Sequence, residues 1–423
     1  MFPRLLFFPL LIAGLFGLGL RLVPAQVGPR ALRFFLAGVT GLAISHCLLY
    51  VNLPLWASLL PSWIGLCCIR PRGPRISRRA CGVGLITLLA AATIIGPTRE
   101  SYDAYAIWFF QGKQLHQAGR LFGVNWADPI FDTTHPDYPK LIVFLGAQAA
   151  TLLGQWSERW AKISLLVPLV LSQFALCALP MRDRAVWLLD VVLIGGSGYL
   201  IWNGQIDGYL AIFTCLSALF LGFALRDGDE TKLGAAIASL SLLPQLKNEG
   251  LFLMPIIGVF GLGRFPARAV GRLALLWFAP VILWQLDRIP LHLHSDLVRG
   301  WLWKTMYGRL TDAAFWRLFR DYYFLHGGIV FVLVAALALT VWRAKQRKLR
   351  YCYPVVLPLA SFALYSMVVL SVYSATYWNV HDHLHASFSR VGLSLNFLLI
   401  AAIVFLLLPI EGMKVYTPPQ NLP

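Results

Sequence analysis

The sequence returns again and again to runs of close to twenty residues with scarcely a charge, and no other feature limits its fold so strongly. A helix needs about 20 apolar residues to cross the hydrocarbon core of a bilayer. Only 13% of the 423 residues are charged and 58% are hydrophobic. Soluble domains carry about 25% charged residues, and a soluble chain of this length could not cover its surface with so few. The chain is therefore read as an all-α, polytopic transmembrane helix bundle of about thirteen spans, with edges good to a few residues. The early spans are Leu5–Leu22, Phe34–Tyr50, Leu53–Ile69 and Ala80–Gly96. The middle ones are Ala161–Leu179, Ala185–Trp202, Tyr209–Leu225, Leu233–Leu246 and Leu251–Gly263. Leu273–Leu286, Ile329–Trp342, Cys352–Tyr373 and Val391–Leu408 complete the set.

The net charge of +17 does not point to nucleic acid. The basic residues form no groove-like stripe with stacking aromatics. Many sit in short loops between apolar runs, as the positive-inside rule expects. Arg70–Arg79, Arg182 with Arg184, Arg264–Arg272 and Arg343–Arg350 are such loops, and all four are placed in the cytoplasm. The apolar Leu141–Leu153 run is too short to cross and is read as an interfacial or re-entrant helix, which keeps all four on one side. Met1–Leu22 resembles a signal peptide but is long enough, and followed by enough spans, to be a retained helix. The seven cysteines lie in or beside apolar runs without metal-ligand spacing and read as small buried hydrophobes.

This scheme gathers the unusual polar residues on the outer face. The outer segments are 97–140, 203–208, the 247–249 tip, 290–328 and 374–390, and they hold eight of the nine histidines. Asp103 stands just past a span, before an amphipathic stretch over Ala104–Leu115; it either caps that helix or acts as an acid. Thr133–Lys140 carries two prolines that fix a turn presenting His135, Asp137 and Tyr138, and an ordinary Asp-stabilised loop would look the same. Asp207 opens an apolar span. Lys247 and Glu249 sit at the tip of a tight hairpin, where they either pair locally or mark function. Tyr377–Arg390 holds His381, His383 and His385. An extended chain would put all three on one face and suggest zinc, while a helix would bring together only His381 and His385. Arg390 opens the final span, where a guanidinium can clamp a phosphate.

Four stretches, taken in order, resemble the GT-C class of membrane glycosyltransferases, which use polyprenyl-phosphate-linked sugars. The nearest likeness is to bacterial lipopolysaccharide-modifying, protein mannosyltransferase and aminoarabinose transferase-like enzymes. Asp103-Ala-Tyr-Ala-Ile-Trp108 resembles the class's first-loop Asp-Ala-x-x-x-Trp segment, and His135-Pro-Asp-Tyr-Pro-Lys140 its closing motif. Leu246-Lys-Asn-Glu-Gly-Leu251 resembles a Thr-Lys-Asn-Glu-Gly-Leu stretch. His383-Leu-His-Ala-Ser-Phe-Ser-Arg390 resembles a late His-Leu-x-Thr-Ser-x-x-Arg pattern. Gln245-Leu246 and Ala386 depart from the class pattern, and the helices before Ala80 have no counterpart in it.

The likeness implies extra transmembrane helices over 1–79, a GT-C-like catalytic module over 80–410 whose first extracytoplasmic loop is 97–140, and a short cytoplasmic tail over 411–423. A large C-terminal outer domain for acceptor recognition is not expected. It also implies inverting transfer of a sugar from a polyprenyl-phosphate donor to an acceptor hydroxyl on a glycan, lipid or protein. Asp103 is then the general base, Arg390, Lys247 and His383 hold the donor phosphate, and His135, Asp137, Tyr138, Asp207, Glu249 and Ser387 bind or position substrate. Glu249 would orient Lys247. No metal or other cofactor is required, although Asp103, Asp137 and His135 could bind a divalent cation. A bacterial inner membrane with a periplasmic active site fits the resemblance. The competing classes are a multi-pass transporter, which would place ionisable groups on broken helices near the midplane and show inverted repeats, and another enzyme of polyprenyl-linked glycans, such as a ligase or lipid-phosphate phosphatase.

Overall fold

The computed structural model describes residues 7–24, 28–68, 77–95, 101–131, 134–265, 267–293, 303–326, 328–345, 353–376 and 378–408. The described residues are helical, with no strand among them. Most of the arginine-rich 70–79 loop, residues 346–350, Thr133, Tyr377 and the 411–423 tail lie outside them.

Among the described residues, seven helices are long and apolar enough to cross a bilayer: Arg30–Tyr50, Arg78–Ile95, Ala161–Ala178, Asp183–Trp202, Asp207–Asp227, Tyr353–Ala375 and Val380–Leu407. Each answers to one of the spans expected from sequence, and together they are the make-up of a multi-pass membrane protein. Within Arg78–Ile95, Leu85, Leu88 and Leu89 are exposed, as befits a helix whose outer face meets lipid. Other expected spans coincide with shorter apolar helices, such as Gly250–Val259.

The chain divides into two compact units. The first comprises Met1–Tyr209, Pro244–Asn248 and Gly271–Leu293, and the second Leu210–Leu243, Glu249–Val270 and His294–Pro423.

In the first unit, helices α1 (Phe7–Leu22), α2 (Arg30–Tyr50) and α3 (Leu60–Cys68) pack closely. Their glycines explain how close. A Cβ on Gly65 would overlap the carbonyl oxygen of Gly14, and one on Gly14 would overlap that of Ser62. Small residues that let backbones touch are a common packing device in membranes, where lipid removes the hydrophobic drive between helices. Helix α4 (Arg78–Ile95) packs on α5 (Leu166–Ala178) and α6 (Asp183–Trp202). Arg79 ties α4 to its neighbours. Its guanidinium donates to the carbonyls of Cys177, Leu179 and Met181 and to the Asp183 carboxylate. The last carbonyls of a helix have no intrahelical donors, so an arginine there both caps and neutralises the helix end.

The Leu141–Leu153 helix (α7) has the bounds expected for the short apolar run. Residues 141 to 150 are all buried. A helix lying in the interface would keep one face open, whereas here every residue of that stretch is enclosed by the protein.

In the second unit, α8 (Tyr353–Ala375) and α9 (Val380–Leu407) pack side by side, and α10 (Ile329–Lys345) packs on α9. Arg343 closes the end of α9 as Arg79 closes that of α5, donating to the carbonyls of Leu406 (2.6 Å) and Leu408 (3.0 Å). Two short amphipathic helices, α11 (Trp303–Leu310) and α12 (Ala313–Asp321), precede α10. Phe315 and Phe319 of α12 turn inward, while Trp316, Arg317 and Arg320 face out.

Candidate functional site

The first outer loop enters the structure as a helix that begins at Tyr102, earlier than expected. Ser101 caps it, its hydroxyl accepting from the Ala104 amide at 3.1 Å, and Asp103 makes no capping bond. Of the two readings of Asp103, capping is thereby answered by Ser101. Ala104–Phe109 forms a π-helical turn before the α-helix Phe110–Ala118. Such turns are rare and recur at functional sites. The turn sends Trp108 and Phe109 inward and leaves Tyr102 and Tyr105 exposed. The Ser101 amide donates to the Asn203 carbonyl (2.9 Å). At Gly204, φ is +87° and a Cβ would lie 2.8 Å from that of Ala104. The close approach and the left-handed backbone both call for glycine there.

The His135–Lys140 stretch folds as a turn closed by the Tyr138 amide on the His135 carbonyl (3.0 Å). His135 takes φ +49°, a region few non-glycine residues enter and one that clusters at functional sites. Its ring stacks on Tyr138 at 4.8 Å, and Tyr138 lies 5.6 Å from Trp108. Asp137 is fully buried. Its Oδ2 accepts from the Asn248 amide at 2.7 Å and lies 3.8 Å from the Arg288 guanidinium. One residue away, Lys247 donates to Asp207 at 2.8 Å, and both are buried. The Lys247-Asn248 step between two helices therefore holds two carboxylates, Asp137 from the His135–Lys140 turn and Asp207 from the first turn of the Asp207–Asp227 helix. Asp207 orients Lys247, the part the sequence reading gave to Glu249; Glu249 belongs to the second unit.

Lys140, Asn248 and Arg288 had no assigned role in the sequence reading. Lys140 is fully buried. Its ammonium donates to Gln111 Oε1 and the Pro136 carbonyl, both at 2.6 Å, and faces the rings of Trp126 (4.3 Å) and Trp284 (4.8 Å). Burial pushes this ammonium well below the usual lysine range; Asp137 pulls it back up and Arg288 reinforces the fall. The sequence signal for Lys140 was its place at the head of an apolar run. Arg288 follows an apolar run in the same way, but its partner lies far off in the chain.

Asp287, beside Arg288, has a buried Oδ2 without a hydrogen bond among the described residues. Burial raises its carboxyl from 3.8 to about 6. The native state then holds this proton more tightly than the unfolded chain. The contribution to stability is full below 3.8 and is lost as pH rises through about 6. Thermal unfolding of the detergent-solubilised protein should show it: relative to Asp287→Asn, the wild type loses stability across that window. Parallel curves for the two proteins would refute the assignment.

In the second unit, α9 begins at Val380, capped by Asn379. Arg390 therefore lies three turns inside a helix, not at its start as expected. The helical register decides the histidine question. His381 and His385 stack at 6.3 Å, and His383 turns away to pack on Tyr373 (4.8 Å) and Trp378 (6.1 Å). The three rings therefore do not converge. Among the described residues no group of three or more metal-ligating side chains gathers anywhere, Asp103, His135 and Asp137 included. Ser387 lies 2.7 Å from the Tyr373 hydroxyl and donates to the His383 carbonyl (2.7 Å). Arg309 and Arg390 both bear electrostatically on His383, whose buried Nδ1 has no hydrogen-bond partner among the described residues. This end of the unit can thus offer the Arg390 guanidinium and an imidazole to an anion.

No protein-family model, no curated protein and no solved structure matches the chain.

Proposed function

We propose that this chain is a GT-C-type membrane glycosyltransferase, with about thirteen spans in all, that moves a sugar from a polyprenyl-phosphate donor to an acceptor hydroxyl on the extracytoplasmic face. One observation carries the reading. Parts of three of the four stretches that resemble the class are linked by contacts within the first unit, the third through its Asn248. The Asp103–Trp108 stretch meets His135–Lys140 through Trp108 and Tyr138, and the latter meets Leu246–Leu251 through Asp137 and Asn248. Motifs scattered over more than a hundred residues of sequence have no reason to meet unless they work together.

In the mechanism, the acceptor oxygen attacks the anomeric carbon while its proton passes to the Asp103 carboxylate. The new carbon–oxygen bond forms as the bond to phosphate breaks. The lipid phosphate leaves with the electron pair, and the configuration inverts. Arg390 and Lys247 neutralise the charge that grows on the phosphate, and His383 donates to one of its oxygens. Lys247 has three N–H donors, so it can serve the phosphate while keeping Asp207. Asp137, Asp207, His135, Tyr138, Glu249 and Ser387 position sugar or acceptor. The chain's own residues supply all of this without a metal or other cofactor. A bacterial inner membrane is the compartment that best suits such a donor.

The test offers radiolabelled polyprenyl-phosphate sugars to the purified protein. Transfer should release lipid phosphate and fall by about 10²–10⁴ in Asp103→Asn. Unchanged turnover in that variant would remove the base. Solute flux in liposomes with no sugar transfer would favour a transporter instead.

A further inference from the structure

The link between α8 and α9 is short, and it decides where α9 starts. Arg309, on α11, holds it. Its Nη1 donates to the carbonyls of Tyr373 (3.2 Å), Ser374 (3.4 Å) and Thr376 (2.6 Å), and its Nη2 to that of Trp378 (3.0 Å). Tyr373 and Ser374 lie in the last turn of α8, where carbonyls have no intrahelical donor. Thr376 and Trp378 lie in the link itself. Two of the residues so held, Tyr373 and Trp378, are the aromatic rings that flank His383. The Tyr373 hydroxyl in turn meets Ser387.

We infer that Arg309 is a positioning residue for the donor phosphate. By holding Tyr373, Ser374, Thr376 and Trp378 it sets the rotation of the first turns of α9, and so directs His383 and Arg390 toward one anion. This rests on the reading that this end of the second unit receives a lipid phosphate. The chemistry explains why the residue is an arginine. A planar guanidinium reaches four carbonyls spread over six residues, whereas an ammonium presents a single point of donation. Both terminal nitrogens are committed to backbone, so Arg309 acts through the link and does not itself ligate the phosphate.

The experiment uses the full-length protein in lipid nanodiscs and a short-chain polyprenyl monophosphate as probe. Binding is measured for wild type, Arg309→Gln, Arg309→Lys and Arg390→Gln, alongside amide hydrogen exchange over residues 376–384. Wild type should bind and Arg390→Gln should lose binding. Arg309→Gln should weaken it by about tenfold, with faster exchange over 378–384. Arg309→Lys keeps the charge and should fail in the same way; it decides the case if the glutamine variant does not fold. Binding by both Arg309 variants within about twofold of wild type would overturn the inference. So would weakened binding with unchanged exchange, which would make Arg309 a direct ligand. If wild type itself does not bind while exchange still responds to Arg309→Gln, the lipid-phosphate reading falls and Arg309 is left as a helix cap alone.

Discussion

Lys247→Met is expected to cost about 3–5 kcal/mol of stability, because it strands the Asp207 carboxylate in a buried site. The pair is 2.8 Å apart, with 9% and 6% of the two side chains exposed. A charge left there has lost its ion-pair partner in a buried site. Asp207→Leu should cost a similar amount by stranding the ammonium. The double variant should lose far less than the sum, since an apolar pair needs no partner. Thermal unfolding of the three variants in detergent measures this. Additive losses would mean that the two groups do not depend on each other. The same cycle bears on the proposed chemistry, because a double variant that folds but cannot bind a lipid phosphate separates Lys247's two duties.

Gly65→Ala should break the packing of the N-terminal helices. The added methyl would overlap the backbone of Gly14 and approach that of Leu18. Backbone cannot rotate aside as a side chain can, so the helices must part. The cost should reach the upper end of the roughly 1–3 kcal/mol seen on overpacking. Gly84→Ala is the control. Nothing lies within 4 Å of a Cβ at that position, and alanine favours a helix over glycine by about 1 kcal/mol. Gly84→Ala should therefore raise the melting temperature or leave it unchanged, and Gly65→Ala should lower it. Equal behaviour would show that the α1–α3 contact is looser than described.

The spans were legible because bilayer thickness imposes a length, and apolar runs of that length are easily read. Seven appear as long apolar helices. Local detail was harder. Sequence placed Asp103 at a helix start, but Ser101 reaches the orphan amide first, and a π-helical turn leaves no trace in an apolar pattern. Asp137 was legible as a loop acid and Asp207 as an acid opening an apolar span. Their partners were not, since Asn248 lies 111 residues from Asp137 and Lys247 lies 40 from Asp207. Arg309 was hidden for the same reason: its acceptors are backbone carbonyls 64 to 69 residues away, and every residue type has a carbonyl. The histidine triplet fits strand and helix equally well in sequence, and Asn379, which caps a helix just before it, decides for the helix.

Three arginines, Arg79, Arg309 and Arg343, each seal the carbonyl end of an apolar helix. Two demands fall on Arg79 and Arg343, which also belong to basic clusters at helix ends whose charge should set orientation during insertion. Membrane insertion reads charge alone, so lysine would serve there equally well. The finished helix end reads donor count, and there lysine falls short. A chain with lysine at both positions would thus be threaded correctly and yet fray at its helix ends.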